Sequence, residues 1–190
     1  IWKLLSLLEE GKGAAYVCFN TQLAKYLRVK YPDAAGAIVS VDKFFIDLVG
    51  TRPQNTNDFF AHKLPDLVMG HSFGMGEERK YDAIIVDEGQ DFGSERLTAL
   101  QCLLKEDSGD TQWLVFSDHN QNLYQDSKEG SFDAEVTFRL YHNCRNTERL
   151  NLATNSVCHV KVQSMLGVPE GEHPQLSLCK AELMAQKAWH

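Results

Sequence analysis

The stretch of residues 81–92, YDAIIVDEGQDF, constrains the fold of this chain more than any other. Residues 83–86 are apolar and mostly β-branched, which is typical of a strand buried on both faces, and acidic and amide side chains follow at once. In open α/β sheets ligands bind beyond the carboxyl ends of the strands, where carboxylates can hold a metal ion and polarise a water. The stretch therefore predicts a central strand with a site at its end. The simpler interpretation is a strand followed by an acidic loop.

Strand-like and helix-like segments alternate over most of the chain. Short apolar runs predict strands at residues 14–19, 37–39, 83–86 and 113–116, and an alternating run predicts another at 136–140. Between them, apolar residues recur at helical spacing, as Val41, Phe44, Phe45 and Leu48 do. This rhythm predicts an α/β fold, a mainly parallel sheet with helices on both of its faces.

Polar clusters follow three of the predicted strands, at residues 87–91, 117–121 and 142–146. Because parallel strands bring their carboxyl ends to one edge of a sheet, we expect the three clusters to lie together. His119 and His142 fall within these clusters, but isolated histidines are more often structural or solvated than metal ligands.

The bulk composition excludes several classes of protein. A formal net charge of −7 argues against a surface coated with basic residues for duplex nucleic acid, although it leaves room for a local groove. The five cysteines are widely spaced, with no CxxC pair, which indicates reduced thiols in a cytoplasmic protein. No apolar run reaches the roughly 18 residues that span a bilayer, so we expect no membrane segment.

Taken together, the strand-end clusters resemble motifs of the superfamily I DNA helicases of the UvrD/Rep type. DEGQD at residues 87–91 is similar to the family's Walker B motif, and SDHNQNLY at 117–124 is similar to its GDxxQxxY motif. HNCRN at 142–146 resembles its NYR motif, and CFNTQLAKYL at 18–27 resembles the motif that follows the P-loop. The order and the spacing both match. The resemblance implies a RecA-like fold of the P-loop NTPase type and an ATP-dependent motor on single-stranded DNA.

The resemblance also implies roles in phosphoryl transfer, which needs a metal ligand, a water-orienting group and a cation. Asp87 would hold Mg²⁺, and Glu88 would activate the water that attacks the γ-phosphate of ATP. Gln121 would sense that phosphate, and Arg145 would stabilise the charge that spreads over it in the transition state.

Further residues complete the sites that the resemblance implies. Gln90 would link the nucleotide site to neighbouring motifs, and Asp118 belongs to the same nucleotide-binding set. Phe19 and Tyr124 match positions that stack on bases, and Asn20 and Thr21 would bond the phosphates of the strand. The alternative for the two aromatic residues is an ordinary place in the core, and for Arg145 a surface position.

The chain also departs from the family's pattern. No GxxxxGK[ST] occurs in it, so we expect no ATP hydrolysis by this chain alone. Residues 1–10 look like the end of the helix that follows the P-loop, which would place that loop just upstream. We therefore expect a partial first motor domain at residues 1–160, with 161–190 as a linker and the start of the next domain. Its partners would be the P-loop segment and the second motor domain of its own chain.

Two other functions remain open from the sequence. One is a degenerate, non-catalytic module that keeps a RecA-like fold to bind nucleic acid or a protein. The other is a metal-dependent nuclease with Asp87, Glu88 and Asp91 as ligands, although two-metal nucleases generally draw carboxylates from several elements.

Overall fold

The computed structural model describes residues 1–51, 56–106, 109–118, 136–138, 140, 142–158 and 162–174. The chain forms two compact units, Ile1–Asp133 and Ala134–His190. This division lies before the boundary that the sequence predicts after residue 160. Residues 134–160 therefore belong to the second unit, and the two units are described separately.

The first unit is built on a four-stranded sheet in which every described pair of neighbours is parallel, in the order β2-β1-β3-β4. Its strands are β1 (Ala14–Cys18), β2 (Ile38–Ser40), β3 (Ala83–Asp87) and β4 (Gln112–Val115). Its α-helices are α1 (Trp2–Glu9), α2 (Thr21–Lys30), α3 (Val41–Val49), α4 (Leu64–Ser72) and α5 (Ser94–Gln101). The predicted α/β fold with a parallel sheet is confirmed.

The central pair of strands, β1 and β3, aligns Ala14 with Ala83 and Cys18 with Asp87. Alternate residues of a strand point to opposite faces, so the sheet has two separate apolar layers. Ala15, Val17, Ile84 and Val86 pack against residues from α3, α4 and α5. On the other face, Tyr16 and Ile85 pack against residues from α1 and α2. The prediction of helices on both faces is thus confirmed.

The segment before α4 shows how the chain accommodates a proline. Residues Phe59–Lys63 form a π-helical turn that leads directly into α4, and Pro65 lies in the first turn of α4. The Leu64 N–H donates to the Phe59 carbonyl, so the π-helical turn and α4 are continuous. Proline has no N–H to donate and its ring crowds the preceding turn of a helix, and the wider π-helical turn lies where that crowding falls. Helix α4 carries Leu64 and Val68 into the core.

Strand β4 differs from its prediction. The sequence WLVF predicts a fully buried strand, whereas all four residues of β4 are only half-buried and Phe116, just beyond it, is exposed. Among the described residues β4 pairs with β3 alone, so one of its edges lacks a neighbouring strand. The apolar sequence therefore predicts the strand correctly but does not predict that it is only half-buried.

The second unit contains its own small sheet. Strands β5 (His142–Asn143) and β6 (Gln163–Ser164) are parallel, and helix α6 (Glu148–Cys158) lies between them in sequence. Asn151 on α6 joins the two strands, since its Oδ1 accepts from Asn143 and its Nδ2 donates to Ser164 Oγ. The third polar cluster, residues 142–146, therefore starts within a strand of this small sheet, so the prediction that it follows a strand of the same parallel sheet as the first two clusters is wrong.

The strand predicted at residues 136–140 is also wrong for the residues described there. Val136, Phe138 and Leu140 have no strand geometry and are 66%, 89% and 95% exposed. Within the part of the chain that the structure describes, no helix is long and apolar enough to cross a membrane.

Candidate functional site

The candidate site begins at the last residue of β3, Asp87. The hydroxyl of Tyr16 on β1 donates a hydrogen bond to Asp87 Oδ2, with 2.5 Å between the oxygens. Tyr16 lies two residues before Cys18, the residue paired with Asp87, and therefore on the same face of the sheet. Burial, and then the bond to Asp87, raises the pKa of Tyr16 well above its usual value. The hydroxyl stays protonated and is a fixed donor to the carboxylate.

The next residue, Glu88, has a left-handed backbone with φ 53° and ψ 53°. Among the described residues it is the only one besides glycines with positive φ. This conformation costs on the order of 1 to 3 kcal/mol for a residue with a Cβ, and such strain concentrates at functional sites. The 3₁₀ turn Gly89–Asp91 follows, in which the Asp91 N–H donates to the Glu88 carbonyl. The chain thus turns sharply and leaves Glu88 exposed.

Gln90 fastens this turn to the end of the neighbouring strand. Its Nε2 donates to Glu88 Oε2 at 2.7 Å, and its Oε1 accepts the backbone N–H of Asp118 at 2.9 Å. The Gly89 N–H also donates to the Phe116 carbonyl at 2.8 Å. Gln90 is buried, and its amide is oriented from both sides. The polar clusters that follow β3 and β4 are therefore joined by direct hydrogen bonds.

The amino end of α1 approaches the same aspartate. Burial lowers the pKa of the Ile1 amino group, and the charge of Asp87 partly opposes that shift. Helix α1 starts at Trp2 and packs on the face of the sheet that carries Tyr16. A helix amino terminus has a partial positive charge, so it adds favourable potential near a carboxylate.

A second group of predicted residues lies in and beyond the loop after β1. Phe19 is 42% exposed, so it is not an ordinary core aromatic. The side chain of Asn20 caps α2, accepting from the N–H groups of Gln22 at 2.8 Å and Leu23 at 3.2 Å. Thr21 is the first residue of α2 and is exposed. Asn20 Oδ1 is thus committed to the helix, which leaves its Nδ2 as the group with which it can donate to a phosphate.

Three further predicted residues lie outside the described part of the first unit. Gln121 and Tyr124 lie outside the described residues. Arg145 belongs to the second unit, where it is exposed and its backbone N–H donates to Asn143 Oδ1 at 3.0 Å. Within the described residues of the first unit, Asp87, Glu88, Gln90 and Asp118 are the members of the predicted nucleotide set that lie together.

Two groups of functional interest were missed from the sequence. Tyr16 sits inside an apolar run, and only the strand register reveals that its hydroxyl reaches Asp87. Arg96 on α5 lies over the ring of Phe19, with 5.4 Å from its Cζ to the ring centroid. Neither contact has a sequence signal, because each joins residues about 70 or more positions apart.

The carboxylates of the site fit one kind of metal centre and not another. In the described part of the chain, no group of three or more His, Cys, Asp or Glu side chains converges to hold a metal ion. Asp87, Glu88 and Asp91 are all described, so they do not form the three-carboxylate set that the nuclease alternative requires. Mg²⁺ bound with a nucleotide usually takes only one or two carboxylates, together with phosphates and waters. A single strand-end aspartate such as Asp87 fits that second kind of site.

Comparison with protein-family models, with characterised proteins and with solved structures finds no significant match for this chain.

Proposed function

We propose that this chain is part of the first RecA-like motor domain of an ATP-dependent DNA helicase or translocase that acts on single-stranded DNA. The observation that carries the proposal is the hydrogen-bonded arrangement at the ends of β3 and β4. There Asp87 and Glu88 follow one strand, and Gln90 joins Glu88 to Asp118 after the next.

The roles follow from the chemistry of these groups. Asp87 would hold Mg²⁺, which when bound with ATP neutralises charge on the phosphates. Its Oδ2 already accepts a bond from Tyr16, and this contact orients the carboxylate. Glu88 would accept a proton from, or orient, the attacking water. Its backbone is strained, the residue is exposed, and Gln90 donates a hydrogen bond to one of its carboxylate oxygens.

The chain needs further parts for this function. It contains no GxxxxGK[ST], so the proposal requires the phosphate-binding loop to come from the chain upstream of α1. Gln121 and Arg145 remain the proposed phosphate sensor and transition-state cation.

The test uses the full-length protein and its ATPase rate with and without single-stranded DNA. We expect Glu88→Gln to lower kcat by about 10² to 10⁴-fold, the usual worth of a positioned acid or base, while nucleotide affinity changes little. Glu78→Gln is the matched control, since Glu78 is an exposed carboxylate in a surface turn.

Near wild-type turnover by Glu88→Gln would refute the catalytic role of Glu88. A wild-type protein that binds single-stranded DNA but hydrolyses no ATP would instead support the alternative, a non-catalytic binding module with the same fold.

A further inference from the structure

Arg96 and Phe92 hold the exposed ring of Phe19 from two sides. The Arg96 guanidinium lies over the ring, 5.4 Å from its centroid. The Phe92 ring meets it in an edge contact, with 6.0 Å between centroids and an interplanar angle of 69°. Cation–π and edge-to-face contacts are both attractive and directional. The ring is therefore oriented while much of it stays open to solvent.

Arg96 is itself anchored. Its Nε donates to Asp42 Oδ1 at 3.2 Å, and its side chain is only 12% exposed. Asp42 lies in the first turn of α3, while Arg96 is on α5 and Phe19 follows β1. Residue Arg96 of α5 thus contacts the ring, and Asp42 of α3 holds Arg96 in place. These contacts fix the orientation of a ring that is exposed to solvent, which is unusual for a surface phenylalanine without a function.

The ion pair also limits what Arg96 does with a nucleic acid. Its charge is balanced by Asp42, and one of its donors is already used. A free arginine in a groove contacts phosphates and releases counterions. Arg96 instead places its guanidinium over the Phe19 ring, and this position suits a residue that supports a ring.

We propose that Arg96 is a positioning residue that holds Phe19 as a stacking platform for a base of single-stranded nucleic acid. The platform consists of Phe19, Arg96 and Phe92. This inference rests on the proposed function, because it takes the strand as the ligand. Stacking on an oriented ring tolerates any base, and an unpaired strand is required because bases within a duplex already stack on one another.

The experiment measures binding of a fluorescently labelled oligo(dT) to the full-length protein by anisotropy, over a series of NaCl concentrations. Phe19→Leu should weaken binding by about tenfold, in the range expected for loss of one stacked base. Arg96→Met should weaken it severalfold. The double variant should be no weaker than Phe19→Leu, because Arg96 acts only through the ring.

The dependence on salt separates positioning from direct phosphate contact. We expect Arg96→Met to leave the slope of log affinity against log salt unchanged. Arg96→Lys keeps the positive charge but has no planar group to lie on the ring, so it should weaken binding as Arg96→Met does. Arg79→Met is the control for loss of one arginine, since Arg79 is an exposed residue in a surface turn. Thermal unfolding of each variant checks that it is folded.

Where Arg96→Met does weaken binding, two results would still overturn the role of Arg96. One is a slope reduced in magnitude by about 0.7 in Arg96→Met, which indicates a lost phosphate contact on a single strand. The other is an equal loss of affinity from Arg96→Met in the wild-type and Phe19→Leu backgrounds. If the folded wild-type protein binds no oligo(dT), the proposed function fails and this inference fails with it. A different outcome is that the wild-type protein binds oligo(dT) and Arg96→Met binds it equally well. That result refutes the role of Arg96 but not the proposed function.

Discussion

The Tyr16 hydroxyl donates a hydrogen bond to Asp87 Oδ2 across two neighbouring parallel strands, with 2.5 Å between the oxygens. Tyr16 lies within β1, whose five residues are all buried, and Asp87 is the last residue of β3, the strand paired with β1. A buried hydroxyl bonded to a carboxylate fixes the direction of that carboxylate. Removing the donor should therefore affect both stability and the proposed magnesium site.

We expect Tyr16→Phe to lower the free energy of unfolding by about 1.5 to 3 kcal/mol, the usual contribution of a hydrogen bond to a charged group. In the full-length protein it should also raise the Mg²⁺ concentration needed for half-maximal ATPase activity. Urea unfolding and a magnesium titration measure the two effects.

Tyr81→Phe is the matched control for that change. Tyr81 is half-buried and packs on Phe44, and its hydroxyl makes no hydrogen bond to any described residue. Loss of the Tyr81 hydroxyl should change the free energy of unfolding by less than about 0.5 kcal/mol. Equal effects of the two substitutions on both measurements would show that the bond to Asp87 has no special role.

Because the backbone of Glu88 is left-handed, we expect a glycine variant at this position to be more stable than an alanine variant. Glu88→Gly and Glu88→Ala both remove the carboxylate and its bond to Gln90, but only glycine adopts φ 53° without strain. We expect the glycine variant to be more stable than the alanine variant by about 1 kcal/mol in urea unfolding. At Glu78, in an ordinary 3₁₀ turn, the order should reverse because glycine has more backbone entropy to lose. If Glu88→Ala is more stable than Glu88→Gly, the backbone of Glu88 is not strained.

Asp82 predicts a dependence of stability on pH. Its Oδ2 accepts the Gly13 N–H and its Oδ1 accepts from Lys105, each at 2.7 Å. The Lys105 ammonium, and then the Gly13 N–H, hold the pKa of Asp82 below its usual value. Its contribution to stability is therefore present above the unfolded-state pKa, near 3.9, and is lost as pH falls through the lower folded-state pKa.

Asp82→Asn should accordingly lower the free energy of unfolding at pH 7, because it removes the negative charge that both donors contact. The loss should be only about 1 to 2 kcal/mol, since solvent screens a partly exposed charged pair. The difference from wild type should shrink in acid, below the folded-state pKa. Denaturant unfolding at a series of pH values tests this, with the exposed Asp110→Asn as control. A difference that does not change with pH would rule out the proposed linkage.

The sequence was most informative where local pattern and burial coincide. Residues 83–86 are apolar because β3 is covered on both faces and flanked by strands on both edges, so the central strand and its acidic end were predicted correctly. At residues 136–140 the same kind of reasoning failed. Alternation is a local signal that predicts one buried face, whereas Val136, Phe138 and Leu140 lie exposed.

The sequence by itself determined the parallel α/β character of the first unit and the polar clusters at its strand ends, since both follow from periodicity along the chain. Only the tertiary structure decided which polar groups meet. Strand register brings Tyr16 to Asp87, and the pairing of β3 with β4 lets Gln90 reach Asp118. Helix packing likewise sets Arg96 over Phe19. These contacts join residues far apart in sequence, so no local propensity encodes them, and the packing of the whole unit creates them.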